Sequence, residues 1–402
     1  MLQYDYVPEP KPVTSDYTIA CHYFPGWKQA EKMHRNGFFA LDNFPERWPL
    51  MGYYDESNPE VTDWEIKWAV EHGINCFIYC WYRKQENMGK PVSVEDLHFA
   101  HAIHEGLFHA RYQNFMKFAI MWECSFGAPA ENLDDLMENL FPFWLEQYFS
   151  KENYLKLDGK PVLYVYSQQA LIEQLGGEEA CREALVALDA KMKDCGFPGI
   201  HVAAMDAGWE TWCNLEFAKR GIDDFSLVEK YKRCGFDSTF QYCWHFNVEM
   251  LSPEQRAEYD KTHRVPDERI MEYQLARIRA RVAQYPSSVT CTASVMWDRT
   301  PWVPVRNPQS LIADFQLSPE NFRRLLAELR ETIQPLPKDA LARRIIMIDN
   351  WNEWGEGHYV SPCCEHGFGY LQAIREELTH RDNLPDYRLP NIVGRGPYWK
   401  TK

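Results

Sequence analysis

The sequence predicts a single (β/α)8 barrel of TIM type with long loops after its strands. Three observations carry this: short apolar runs recur along the chain, helical patterns separate them, and polar or aromatic residues stand where most runs end. The runs occupy residues 19–24, 75–82, 117–122, 161–166, 199–205, 239–244, 289–296 and 344–348. Runs of this length read as strands covered on both faces, and strands alternating with helices close most simply into a parallel barrel. The 402 residues, 45% of them hydrophobic, are enough for that core.

The helices carry their own start and stop signals. Thr62-Asp-Trp-Glu65 reads as a capping box opening a helix that ends before Gly73, and Ser318-Pro-Glu320 places an N-cap before a Pro at the first helical position. The stretches 178–195 and 266–285 stop at Gly196 and Pro286, and 370–378 forms the last helix. His98, His101 and His104, spaced in threes, read as one face of an amphipathic helix rather than a metal site. The loop after the first strand is the longest and carries Trp27, Phe38, Phe39, Phe44, Trp48, Tyr53 and Tyr54. Long loops on that face usually carry function. Residues 380–402, rich in Pro, Arg and Asn, read as a surface strap on the same domain.

Composition excludes several classes of function. A formal charge of -15 argues against a nucleic-acid partner, whose phosphates need a basic footprint. No run approaches the ~20 apolar residues of a membrane span. The N-terminus lacks a basic stretch followed by an apolar one, so a cytoplasmic location is expected. The 12 cysteines are scattered without a C-x-x-C pair, and Cys21, Cys76, Cys80 and Cys291 fall in apolar runs as buried thiols do. Gly89-Lys90 and Gly159-Lys160 are each followed by Pro, and neither a dinucleotide fingerprint nor a Gly-x-Ser-x-Gly elbow is present. No metal and no other cofactor is expected.

The chemistry gathers after the last strand. Barrel ligands bind at the carboxyl ends of the strands, so Asn350, Asn352, Glu353 and Glu356 enter the mouth, with Trp354 between the two acids. Gly355 and Gly357 permit a tight backbone there. Two acids crowded into a partly apolar pocket cannot both ionise easily, so one is raised and can donate a proton, as in glycosidases. A strand-to-helix turn with solvated glutamates would show the same letters. Other strand ends bring Tyr23, Trp27, Trp81, Tyr82, Trp122, Glu123, Asp206, Trp209, Trp244, His245, Trp297 and Asp298, which suit a cleft where rings stack on sugars and carboxylates hold hydroxyls. The expected partner is an oligo- or polysaccharide.

Asn350-Trp-Asn-Glu-Trp-Gly-Glu-Gly357 resembles the closing motif of the family 99-like glycoside hydrolases, including the WbsX-type proteins of bacterial polysaccharide loci. Tyr23-Phe-Pro-Gly-Trp27, Gly73-Ile-Asn-Cys-Phe-Ile-Tyr-Cys-Trp81, Gly159-Lys-Pro-Val-Leu163, Trp297-Asp-Arg-Thr-Pro301 and Gly369-Tyr-Leu-Gln-Ala373 resemble its other blocks in the same order. The resemblance implies a (β/α)8 fold and a retaining hydrolase with Glu356 as acid/base. It implies further that Glu353 assists attack by the sugar's own 2-hydroxyl through an anhydro-sugar. One departure concerns Gly355, where the characterised mannosidases carry a bulky or basic residue. Two other readings are a WbsX-type glycosyltransferase, for which no Asp-x-Asp triplet is present, and a non-catalytic glycan-binding barrel.

Overall fold

Eight strands form one parallel ring: β1 Thr18–Tyr23, β2 Cys76–Arg83, β3 Lys117–Glu123, β4 Lys160–Tyr166, β5 His201–Ala207, β6 Ser238–Gln241, β7 Cys291–Ala293 and β8 Ile345–Ile348. The computed structural model describes residues 6–28, 37–207, 224–303 and 312–390. Hydrogen-bonded order runs β7-β8-β1-β2-β3-β4-β5-β6, every pair parallel. The remaining seam, between β6 and β7, is bridged by Thr239 against Val289, with Thr239 N donating to Ser288 O at 2.9 Å and Thr290 N to Thr239 O at 3.1 Å. All the predicted strands are present, and the chain is the (β/α)8 barrel that their alternation with helices implies.

The helices packed outside include α1 Pro59–Glu71, α2 Glu178–Asp194, α3 Ser226–Arg233, α4 Asp267–Gln284, α5 Pro319–Ile333 and α6 Gly369–Leu378. The start of α1 corrects the sequence reading: Asn58 is the cap, accepting from Glu60 N with Pro59 at the first position, and Thr62 lies buried inside the helix. Ser318 caps α5 as expected, accepting from Asn321 N. The histidine ladder is not one helical face. His98 pairs with Tyr82 in a short antiparallel strand, and residues 102–106 form a single wide turn. His101 Nε2 lies 2.9 Å from Glu56, and His104 Nε2 lies 2.9 Å from the Tyr148 hydroxyl.

Side chains alternate along each strand between the barrel interior and the helix layer. His22 points inward, its ring 5.8 Å from Phe240 across the barrel. Its neighbour Tyr23 points outward and donates to Glu65 of α1 at 2.8 Å. No helix among the described residues is long and apolar enough to cross a membrane. Residues 380–390 run extended against the N-terminal segment: Asn383 Nδ2 donates to Lys11 O at 2.6 Å, and His380 N donates to Thr14 O at 2.9 Å.

Glu65 makes the inner face of α1 sensitive to pH. It accepts from Tyr23 and, at 3.0 Å, from Trp351 Nε1. Burial pushes its pKa up to about 8 against those two hydrogen bonds, with the charge of Glu56 adding to the rise. The folded protein thus keeps a proton that the unfolded chain releases near the ordinary value of 4.5. Stability from this group is complete below that value and is lost as pH rises to about 8, at up to about 1.4 kcal/mol per pH unit. Glu65→Gln, neutral throughout, is expected to flatten the dependence of Tm on pH across this window in calorimetric scans. An unaltered slope would place the titration elsewhere.

Candidate active site

Past β8 the chain turns back on itself as a β-hairpin, Asn352–Glu353 against His358–Tyr359, which sets Glu353 opposite His358. The two glutamates therefore sit on a hairpin and not at a strand-to-helix turn. Its flanks are fastened on several sides. Asn352 Oδ1 accepts Phe24 N at 2.8 Å, Trp27 Nε1 donates to Asn352 O at 2.8 Å, and Trp354 Nε1 donates to the Tyr54 hydroxyl at 3.0 Å. Asp298 N donates to Glu356 O at 2.9 Å, tying the turn to the loop after β7, where the Asp298 carboxylate pairs with Arg47. Gly357 adopts φ +64°, and a Cβ there would fall 2.3 Å from Asp298 O, so a side chain is excluded twice over.

The two carboxyls differ in surroundings. Glu353 is 2% exposed, and its Oε1 has no hydrogen-bond partner among the described residues. Burial first, then the charges of Glu356 and Glu56, hold it well above the ordinary carboxylate range. Glu356 leaves 27% of its side chain exposed and places Oε2 3.1 Å from His358 Nε2. The other His358 nitrogen lies 2.9 Å from the Asn350 side-chain amide and 3.9 Å from Asp349 Oδ2. Burial opposes charge on His358, but Asp349 and Glu356 outweigh it and raise the ring above its usual value. Polar atoms of Glu353, Glu356 and His358 all fall within 4.8 Å of one another. With His358 Nε2 facing Glu356 and Glu353 across the hairpin, three titratable groups meet in one cluster.

Tyrosines wall the cluster. The Tyr242 hydroxyl donates to Asn350 Oδ1 at 3.2 Å, and its ring stands edge-on to His358 at 5.4 Å. Tyr166 packs edge-on to Tyr242 at 5.3 Å. Cys80, Tyr82 and Tyr242 are within electrostatic reach of Glu353, and Tyr166 is within reach of Glu356. Trp297 lies 5.0 Å from His358 and 3.9 Å from His245, whose ring is also 3.1 Å from Cys243 Sγ. Farther out, Phe126 is 51% exposed and meets Tyr82 edge-on at 5.9 Å. Glu123 holds the loop that presents it, accepting from Phe126 N and Gly127 N at 2.6 Å each.

Of the residues singled out from the sequence, Glu353, Glu356, Asn350, Tyr82, Trp297 and His245 gather around the cluster. Trp27, Asn352, Trp354 and Asp298 brace the hairpin, and Glu123 braces its own loop. Tyr23, Trp81, Trp122 and Trp244 bond away from the mouth: Trp81 Nε1 to Tyr148 at 3.1 Å, Trp122 Nε1 to Ala128 O at 3.0 Å and Trp244 Nε1 to Thr292 O at 2.8 Å. Asp206 accepts from Thr239, Gln241 and Arg281 of α4. Trp209 lies outside the described residues. Sequence reading passed over Cys80, Tyr166, Tyr242 and His358. Stepping by two along each strand from an interior residue, as from Cys80 to Tyr82, is the signal that finds the first three.

A parallel barrel carries its ligand site at the carboxyl ends of its strands, and it is there that this chain sets its carboxyl pair. The chain belongs to the family described as Glycosyltransferase WbsX, whose family model matches residues 24–374. A relative in Xanthomonas campestris pv. campestris, "Uncharacterized protein WxcX", is 22% identical over 358 residues. That match covers 83% of this chain and 43% of the relative, so the chain spans under half the length of the curated relatives it matches. Among solved structures, a "Glycoside hydrolase-like protein" superposes with a TM-score of 0.60 at 15% identity, covering 93% of this chain and 98% of that one. The GH99 endo-alpha-mannosidase from Bacteroides thetaiotaomicron superposes at 0.55 with 12% identity, covering 90% and 95%. At these identities the likeness is one of fold.

Proposed function

We propose that the protein is a glycoside hydrolase that cleaves an oligo- or polysaccharide by acid–base work of Glu353 and Glu356. The observation that carries this reading is their meeting with His358 within 4.8 Å at the barrel mouth, one carboxyl buried and the other open to solvent. The pair shares one proton. Before a sugar binds, burial keeps it on Glu353. A sugar hydroxyl donating to the unpartnered Oε1 stabilises the Glu353 carboxylate, and the proton then resides on Glu356, the carboxyl that a leaving oxygen can reach. Glu353 next takes the proton of the 2-hydroxyl as that oxygen attacks the anomeric carbon, while Glu356 protonates the leaving oxygen. Water reverses both transfers. This scheme follows the resemblance and gives retention without a glycosyl-enzyme bond.

The test is release of reducing ends from a panel of linkages by the wild-type chain. A transferase reading draws on the family's description, and micromolar calorimetric binding of a sugar nucleotide without hydrolysis would favour it. Phe126 supplies a further prediction. A ring exposed one tyrosine away from the acids suits a second sugar, and such stacking contributes ~1 kcal/mol or more. Phe126→Ala is expected to raise KM several-fold for oligosaccharides and leave kcat nearly unchanged. Equal KM values would remove the ring from the binding surface.

A further inference from the structure

His358 is fully buried, yet both of its ring nitrogens face polar groups. Nε2 meets Glu356 Oε2 at 3.1 Å; Nδ1 meets the Asn350 amide at 2.9 Å, with Asp349 Oδ2 behind it at 3.9 Å. That Asp349 oxygen takes no hydrogen bond among the described residues, and Oδ1 is occupied by Val295 N at 2.9 Å. A buried carboxylate oxygen without a donor is costly unless a positive charge stands near, and the imidazole is the group that can supply one. The ring packs against Tyr242 and Trp297, and strand pairing sets it opposite Glu353. An amide's oxygen and nitrogen exchange places by a half-turn; with that turn Asn350 presents its oxygen to Nδ1, both ring nitrogens donate, and the Tyr242 hydroxyl accepts from the amide instead of donating to it.

We propose that His358 is the positioning residue of the acid pair, a link between Asp349 and Glu356 that fixes the direction of the Glu356 carboxyl and stabilises its ionised form. This rests on the hydrolase reading, and it adds a residue that touches neither substrate nor reacting bond. When Glu356 releases its proton to the leaving oxygen, the charge it acquires lies against an imidazolium rather than in an uncompensated cavity. The neighbouring titratable groups leave that proton on His358. Burial, with the charge of His358 adding, drives His22 down to about 3 and His245 well below its usual value. Around Glu356, Cys80, Cys243, Tyr166 and Tyr242 are held neutral by burial first, with the nearby carboxylates adding to the rise. Of the acids, Asp349 is also raised by burial, against which His358 and the Val295 amide hold its charged form, and burial keeps Glu353 protonated.

Two measurements on the full-length chain test the link. The first is the pH dependence of kcat/KM on any cleaved oligosaccharide. A cation beside Glu356 lowers its pKa, and activity falls as pH rises through the acid's pKa. Both His358→Gln and Asp349→Asn are therefore expected to move the basic limb upward, by about 1 pH unit or more, and to lower the plateau about tenfold. A ring that only fills space would lower the plateau and leave the limb in place, which overturns the proposal. The second needs no substrate: NMR titration of protein labelled at histidine Cε1, with the His358 signal expected to have a midpoint above those of His22 and His245. Glu356→Gln and the near-isosteric Asp349→Asn are each expected to lower that midpoint. Midpoints equal to wild type in both variants would refute the link even if His358→Gln failed to fold. A shifted midpoint in a protein that cleaves no glycan would leave the link standing and remove the hydrolase reading.

Discussion

Glu356→Gln and Glu353→Gln are each expected to reduce glycan turnover by about 10²–10⁴-fold, the range over which a positioned proton donor or acceptor contributes. The two losses have different signatures. On the proposed roles, Glu356→Gln removes the donor to the leaving oxygen, so a substrate whose leaving group departs without protonation is expected to restore much of the rate. Glu353→Gln would remove the acceptor proposed for the attacking hydroxyl, and no leaving group would repair that. Neither change should unfold the protein. Glu353 is already kept neutral by its burial, so an amide of the same shape replaces a carboxyl of the same charge. Glu356 is partly open to water. Unchanged melting with lost turnover is the result that assigns chemistry, and full activity in either variant would end the assignment. For the wild type, the rate is expected to fall as pH climbs through the donor's pKa; a flat profile between about pH 5 and 9 would contradict the acid role.

The barrel was legible because its strands are buried on both faces and so appear as near-continuous apolar runs; Ile345, Ile346, Met347 and Ile348 of β8 are all buried. What followed β8 was legible in composition but not in shape. A turn with glycines at 355 and 357 suits a helix start as well as a hairpin, and only pairing with His358 and Tyr359 decides between them. Parity was the second difficulty. Trp81 and Tyr82 are adjacent in sequence, yet one bonds into the helix layer and the other borders the acids, because consecutive strand side chains point to opposite faces. Bulky aromatics near strand ends drew notice, while Cys80 and Tyr166 read as ordinary core. His358 was invisible for another reason: its role comes from Asp349, nine residues earlier, and from the hairpin that folds it back beside that carboxylate.

Gly355→Val is expected to cost about 10²-fold or more in turnover, because a shift of about 1 Å in a reacting group has an effect of that size. A Cβ added at 355 would lie 1.7 Å from Cε2 and 2.0 Å from Nε1 of Trp302. The obstacle is a rigid indole rather than the end of a flexible side chain, so either the ring or the turn must move. The turn carries Trp354 on one side and Glu356 on the other, and Trp354 is anchored to Tyr54. Displacement therefore falls on Glu356 and its bond to His358. Trp302 fills the space that a larger residue at 355 would occupy. Gly355→Ala alone is expected to lower both turnover and Tm, with overpacking costing about 1–3 kcal/mol. Combining it with Trp302→Ala, which opens that space, is expected to recover part of the loss, so the two changes should be non-additive in a double-mutant cycle. Strict additivity, or a Gly355→Ala protein with wild-type activity and Tm, would show that the ring yields freely and that glycine at 355 is not required by it.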